Sequence, residues 1–285
     1  MKVYPFKIPK TANDALIVQE DVEEEFYNKL HQHEEIQLSC ILKGTGTLIV
    51  GDAIKRYRPG DVFVFGNNLP HVFKSDLKGQ GKSHMLSIFF VKANFGGQLF
   101  QINELVSLNG FFAQVNSGFK LTAPTQKHVR FFLKIRDCIG INRFVLFFEL
   151  LSCLTKEPKT QLSSNDYKTR LRDIEGQRMG KVFDYMFSHF QEQISLKAIA
   201  DVASMTPTAF CRFFKLHTRK TYTQFLQELR LEHACKLLET HSDKIMVSDI
   251  AFQCGFGSVS NFNRFFKKTK GMSPLHYKNS KRVRF

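Results

Sequence analysis

The chain has no C-x-x-C pair. Its six cysteines (Cys40, Cys138, Cys153, Cys211, Cys235 and Cys254) are scattered over 285 residues, which excludes a zinc ribbon and a disulfide framework. They read as small buried residues of a reducing compartment. Long apolar runs are missing too. The longest, Phe144 to Leu154, has 11 residues and contains Glu149; it is a core or interface helix, too short for a bilayer. Met1 to Lys10 carries charge and proline without an apolar core, so no signal peptide is expected. The expected location is cytoplasmic, with no membrane partner. Acidic side chains are absent from the last 25 residues, which hold eight basic ones.

A chain of 285 residues suits two domains, and its formal charge of +15 is unevenly spread. From Ile174 to Phe285 there are 18 Lys and Arg against 9 Asp and Glu; the preceding 173 residues carry 23 against 17. A polyanionic partner follows. Basicity alone fits RNA or an anionic membrane as well as DNA.

The choice comes from Val247 to Lys268, which reads as a helix, a tight turn at Gly255 and a second helix capped by Ser258. Phe262, Phe265 and Phe266 stand at i, i+3 and i+4 and are expected to share a buried face, leaving Ser260, Asn263, Arg264 and Lys267 on the other. The same pattern occurs upstream. Ile199-Ala200 precedes Ile250-Ala251 by 51 positions, and Phe210, Arg212, Phe213, Phe214 and Lys215 precede Phe262, Arg264, Phe265, Phe266 and Lys267 by 52. The one-residue difference falls in the turn. Thr206-Pro207 is an N-cap followed by proline at the first helical position, and Thr208, Cys211, Arg212 and Lys215 face away from the aromatic stripe. Double-stranded DNA is therefore the expected partner, contacted by Thr208, Cys211, Arg212, Lys215, Ser258, Ser260, Asn263, Arg264 and Lys267. Between the copies, Tyr222 to Thr240 has helical apolar spacing. At roughly 28 Å it would hold two recognition helices near the ~34 Å repeat of successive major grooves.

Ile250-Ala251-x-x-x-Gly255-Phe256-x-Ser258-x-x-x-Phe262-x-Arg264-x-Phe266-Lys267, followed by Gly271-Met272-Ser273-Pro274 and Tyr277, resembles the signature of the AraC/XylS family of bacterial transcription regulators. Arg230-Leu231-Glu232-x-Ala234-x-x-Leu237-Leu238 is similar to that family's connecting helix. The resemblance implies a regulator governed by a small-molecule effector, with a carbohydrate as the family-level choice, a homodimer, and RNA polymerase as a partner if it activates. Arg219-Lys220 departs from the glycine that usually closes the first recognition helix, so a different helix end is expected there.

The N-terminal part is β-rich. Tyr4 to Ile8 alternates as a short strand or arm, and Asp21 to Glu25 reads as a solvated acidic turn. Ile36, Leu38, Cys40 and Leu42 alternate; Lys43-Gly44-Thr45-Gly46, Gly51-Asp52 and Arg58-Pro59-Gly60-Asp61 are turns; Thr47 to Val50, Val62 to Phe65 and His84 to Val91 are further strands. Short strands at regular spacing imply a closed or sandwiched antiparallel sheet. His31-x-His33 with Gln37 and Gly44, then Pro59-Gly60-Asp61 with Pro70-His71, resembles the two motifs of a cupin barrel. By strand parity His31, His33 and Gln37 share a face that His71 can approach, and these four are the candidate ligand-binding residues. Gln37 stands where metal-dependent cupins have a carboxylate. Without that charge a metal site is weakened, so no metal, cofactor or catalytic residue is expected.

Leu99, Ile102, Leu105 and Val106 fit one helix. Phe131, Phe132 and Ile135, then Phe144, Phe147, Phe148, Leu151 and Leu154, fit an antiparallel pair with Gly140 between them, whose surplus face suits homodimerisation. Polar Lys156 to Asp173 reads as a linker. The expected fold is a multidomain α and β chain: a cupin-like antiparallel barrel (1–92), a helical dimerisation segment (93–155), a linker (156–173) and an all-α DNA-binding domain with two helix-turn-helix units (174–285). The rival readings are a metal-dependent cupin enzyme with a basic tail and a DNA-binding protein without a ligand.

Overall fold

The computed structural model describes residues 8, 14–76, 81–96, 98–164, 171–240 and 245–282, and the chain divides into two compact units, Met1–Gln177 and Arg178–Phe285. In the first unit the strands are β1 (Leu16–Glu23), β2 (Ile36–Lys43), β3 (Gly46–Val50), β4 (Ala53–Tyr57), β5 (Val62–Phe65), β6 (His71–Ser75), β7 (Ser83–Phe90), β8 (Phe119–Leu121) and β9 (Lys159–Gln161). They form two antiparallel sheets, one in the order β1-β7-β2-β5-β8-β9 and one in the order β4-β3-β6.

Strand parity sorts the larger sheet into two faces. Leu38 and Cys40 of β2, Val62 and Val64 of β5, and Leu86 and Ile88 of β7 join one core with Phe111, Phe132, Phe147 and Leu151 from the helices α1 (Leu108–Val115), α2 (Gln126–Asp137) and α3 (Gly140–Lys156). Ile41, Phe63, Phe65 and Met85 turn the other way and join a second core with Leu48, Val50 and Phe73 of the smaller sheet. Both faces of β5 are covered, so all four of its residues are buried and apolar. Gln37, Ser39 and Ser87 have the parity of this second face, and they are polar within a phenylalanine-walled space.

Three expectations change in this unit. Asp21, Val22 and Glu23 are strand, the end of β1 paired with β7, and only Glu24 and Glu25 remain as the acidic turn. The helix expected around Leu99 to Val106 is a series of 3₁₀ turns at Lys92–Phe95, Leu99–Gln101 and Asn103–Leu105, and the regular helix starts at Leu108. Ile102 is extended at ψ 149° and 43% exposed, while Phe100 packs on Phe95, Phe112 and Phe148. Aromatic packing outweighs the local period. The segment expected as a linker holds β9, which pairs with β8, and Leu162, Ser163 and Leu171 are buried. A three-residue strand leaves no alternation to read. Of the N-terminal alternating segment, Tyr4 to Lys7 lie outside the described residues, and Ile8 packs with Ile17 and Phe89.

The second unit is helical: α4 (Asp173–His189, entering from the first unit), α5 (Leu196–Val202), α6 (Pro207–Thr218), α7 (Tyr222–Thr240), α8 (Val247–Gln253), α9 (Val259–Lys270) and α10 (Pro274–Arg282). Helix α7 serves two small cores. Phe225, near its start, stacks on Phe183 at 5.2 Å and meets Phe214 of α6 edge-on at 5.5 Å. Leu231, Ala234, Cys235 and Leu238 pack with Ile250, Ala251, Phe262 and Phe266. Among the described residues no helix is long and apolar enough to cross a membrane.

Candidate nucleic-acid interface and sensor site

The two helix-turn-helix units are built alike to the level of single hydrogen bonds. In the first, Ser204 takes φ +54° and Met205 N–H donates to Ala200 O at 3.0 Å; in the second, Gly255 takes φ +81° and Phe256 N–H donates to Ala251 O at 3.1 Å. These pairs keep the 51-residue offset. The offset becomes 52 at the caps, so the inserted residue is the exposed Gly257. Thr206 Oγ1 accepts from Ala209 N–H at 3.3 Å, and Ser258 Oγ accepts from Asn261 N–H at 3.2 Å. Each cap satisfies a free N–H of its helix and fixes where α6 or α9 begins.

Phe210, Phe213 and Phe214 are buried under α6, and Phe262 and Phe266 under α9; Phe265 is only half-buried, because it lies at the edge of the smaller second core. The opposite faces are open. Thr208, Cys211, Arg212, Lys215, Ser258, Ser260, Asn263, Arg264 and Lys267 are all exposed. Ser258 is already engaged as the cap. Arg264 donates to Asn261 Oδ1 at 3.2 Å, one turn back, which orients its guanidinium; the helical spacing of these two residues was the available signal for Asn261. The expected difference at the end of α6 is corrected. Arg219 adopts the left-handed cap at φ +57° with its N–H on Lys215 O, matching Gly271 at φ +73° with its N–H on Lys267 O.

In the first unit, His31 and His33 precede β2 and do not share its parity. His31 reaches the site through an antiparallel bridge to His71, with His71 N–H donating to His31 O at 2.9 Å. Gln37, on β2, is the common point: its Oε1 lies 3.0 Å from His33 Nε2 and 3.0 Å from His71 Nε2. The structure thus gathers His31, His33, Gln37 and His71, and one ring nitrogen of each histidine lies within 4.8 Å of the others.

The histidine rings are oriented from behind. Nδ1–H of His31 donates to Lys29 O at 2.8 Å, that of His33 to Glu35 O at 2.9 Å, and that of His71 to Leu69 O at 2.8 Å. Burial holds the rings of His31 and His71 neutral, pushing His31 down to about 3 with the nearby His33 adding to the effect, and His71 well below its ordinary value. A neutral ring protonated at Nδ1 has a lone pair at Nε2, so the Gln37 oxygen faces an acceptor on His71. Two arrangements remove that conflict. A cation can sit between them, or the Gln37 amide can turn to present its NH₂ to the His71 ring while Ser39, 2.8 Å away and hydrogen-bonded to Ser87, donates to the oxygen. Ser39 has Gln37's strand parity and was legible as part of this face; the backbone carbonyls were not.

A helix-turn-helix domain family matches residues 199–280, and a cupin domain family matches residues 18–89. The uncharacterized HTH-type transcriptional regulator YdeC of Bacillus subtilis is 24% identical over 261 residues, 88% of this chain and 86% of that protein. The HTH-type transcriptional activator RhaS of Citrobacter koseri is 28% identical over 218 residues, 76% of this chain and 65% of its own length; further RhaS relatives are matched over 44% of theirs. Among solved structures, the DNA-binding domain of AdpA in complex with a target DNA is 30% identical, covering 38% of this chain and 95% of that one with a TM-score of 0.35. The chain is a DNA-binding transcription regulator of the helix-turn-helix class, a regulator and not an enzyme. Its C-terminal part is an AraC/XylS-type helix-turn-helix domain, fused to an N-terminal cupin-like domain.

Proposed function

We propose that this chain is an effector-responsive regulator that reads duplex DNA with α6 and α9 and takes a small molecule, with a carbohydrate as first choice, between its two N-terminal sheets. The observation that carries the DNA half is the repeated turn-and-cap geometry, which turns Arg212 and Arg264 outward at equivalent places. The remaining contacts would come from Thr208, Cys211, Lys215, Ser260, Asn263 and Lys267. The test is titration of residues 173–285 with duplex DNA at several salt concentrations. Affinity is expected to fall steeply with salt as counterions are released, and a folded fragment with no salt-dependent affinity refutes the reading.

For the sensor half, the supporting feature is the polar cluster of buried His31, Gln37 and His71 with half-buried His33, inside a space walled largely by aromatic side chains. The two sheets are read as a cupin barrel around it, within the first unit, followed by the helical dimerisation segment. A panel of sugars, aromatics and metal ions is screened for thermal stabilisation, since a ligand that binds only the folded state raises its stability. The ligand's effect is expected to disappear in His31→Ala and His71→Ala, while DNA binding by residues 173–285 is untouched. Exposed Ile139, Ile141 and Val145 around the start of α3 support a homodimer. Recruitment of RNA polymerase belongs to this reading if the protein activates.

A second reading of the same cluster is a divalent transition metal on the Nε2 atoms of His31, His33 and His71. Backbone carbonyls holding all three Nδ1–H groups are the kind of outer support that metal-bound histidines have. Stabilisation by a metal ion alone, lost in His71→Ala, favours it over the carbohydrate.

A further inference from the structure

Away from both sites, the helical pair of the first unit brings His128, Cys153 and Glu157 together. The chain arranges this simply. Cys153-x-x-x-Glu157 sets two donors one turn apart on one side of the end of α3, and the first turn of α2 supplies His128. His128 Nε2 lies 3.7 Å from Cys153 Sγ and 3.5 Å from Glu157 Oε1, and Sγ lies 3.9 Å from Oε1. His128 and Cys153 are buried, and the Glu157 side chain is 30% exposed.

Hydrogen bonds through the sulfur already link this triangle, at 3.7 and 3.9 Å, while its N···O edge is longer than a good N–H···O bond. A cysteine–histidine–acid relay does not fit. Such a relay places its nucleophile and its acid on different ring nitrogens, whereas here both partners sit at Nε2 and Nδ1 is occupied by Thr125. Tetrahedral Zn²⁺ with ordinary bond lengths spaces N, S and O ligand atoms about 3.3–3.7 Å apart. The observed edges match that triangle, opened by a few tenths of an ångström.

The geometry points to a second, separate transition-metal site, with Zn²⁺ as the fitting ion, held by His128 Nε2, the Cys153 thiolate and the Glu157 carboxylate. One thiolate among the donors selects against Mg²⁺ and Ca²⁺. Cys153 also lines a cavity of about 610 Å³ with Lys127, Phe131, Phe148, Ser152 and Lys156, from which a water or a small anion would supply the fourth ligand. The protons balance. At present Thr125 N–H donates to His128 Nδ1 at 3.0 Å, which leaves the ring proton on Nε2. On metal binding that proton moves to Nδ1, where Thr125 Oγ1 accepts it at 3.2 Å, the Thr125 N–H gives up its bond to Nδ1, and the thiol proton is released to solvent. The ion then ties the end of α3 to the start of α2.

The test uses the full chain, stripped with a chelator and titrated with Co²⁺, whose thiolate-to-metal charge-transfer absorption requires a sulfur ligand. The histidine cluster around Gln37 has none, so this signal separates the two sites. We expect the band at one ion per chain, competed away by Zn²⁺, abolished in Cys153→Ser and retained in His71→Ala. Glu157→Gln, at a half-exposed position that tolerates the change, is expected to weaken Co²⁺ binding more than about tenfold. The proposal is overturned by no band at saturating Co²⁺, by a band that survives Cys153→Ser, or by unchanged Co²⁺ affinity in folded Glu157→Gln.

Discussion

Arg219 and Gly271 close the two recognition helices with the same left-handed cap, 52 positions apart, at φ +57° and +73°. Glycine adopts that conformation freely, whereas a residue with a Cβ is strained there. Arg219→Gly is therefore expected to stabilise the second unit by about 0.5–1 kcal/mol, the relieved strain being partly offset by a freer unfolded chain. Gly271→Ala, where an added Cβ meets nothing within 4 Å, should destabilise by about 1 kcal/mol through backbone strain alone. Urea unfolding of residues 173–285 measures both, and equal midpoints for all three proteins contradict the account.

Gly255 is the tighter constraint. Besides φ +81°, an added Cβ would stand 2.6 Å from Phe190 O, 2.8 Å from Gln191 O and 2.9 Å from Arg230 Nε. Arg230 itself donates to Phe190 O and Glu192 O, each at 2.7 Å, so the neighbouring groups are pinned. Gly255→Ala is expected to cost more than about 2 kcal/mol and to abolish DNA binding. The equivalent Ser204 already carries its Cβ at φ +54°, and Ser204→Gly should be neutral or mildly stabilising. Circular dichroism melts of the two variants decide the comparison.

Arg212 and Arg264 are expected to read base edges. Loss of either should cost about 1–3 kcal/mol and relax preference at one base position; a purely phosphate contact would instead weaken all sequences alike and reduce the salt slope. Lysine at either place keeps the charge and loses the bidentate fork. Because Asn261 Oδ1 holds Arg264 at 3.2 Å, Asn261→Ala should lower specificity at the same base position. Selection of bound duplexes from a random pool reads all of these, and an unchanged consensus in Arg212→Ala and Arg264→Ala assigns specificity elsewhere.

Acid is expected to destabilise the first unit. His31 is neutral in the folded chain down to about pH 3, whereas in the unfolded chain it binds a proton near its ordinary value of 6.5. Between those values the unfolded state holds more protons, so stability falls as the pH falls from 6.5 towards 3. His71, depressed in the same direction by burial, adds to the effect. His31→Gln should flatten the dependence of the melting temperature on pH across that window. An unaltered slope removes His31 as its source.

The helix-turn-helix repeat was legible because each unit is local: caps, turn and aromatic stripe lie within about 20 residues of sequence, and helical spacing converts directly into faces. The histidine cluster was legible as composition and not as geometry. His31 and His33 lie outside β2, and what brings them to Gln37 is a backbone bridge to His71, 40 residues from His31. Ser204 and Arg219 carry no turn signal of their own, since each takes a left-handed conformation that a residue with a Cβ disfavours.

The division into a β-rich and a basic helical part and the outward-facing residues of α6 and α9 were determined by the sequence alone, because periodicity and charge act over one or two turns of chain. The tertiary structure decided the rest. It broke the helix expected around Leu99 to Val106, drew Lys159–Gln161 out of a polar stretch into a sheet, and placed His128 beside Cys153 and Glu157. Each of these depends on contacts between residues far apart in the chain, where the free energy of packing and pairing exceeds the fraction of a kcal/mol per residue that local preference supplies.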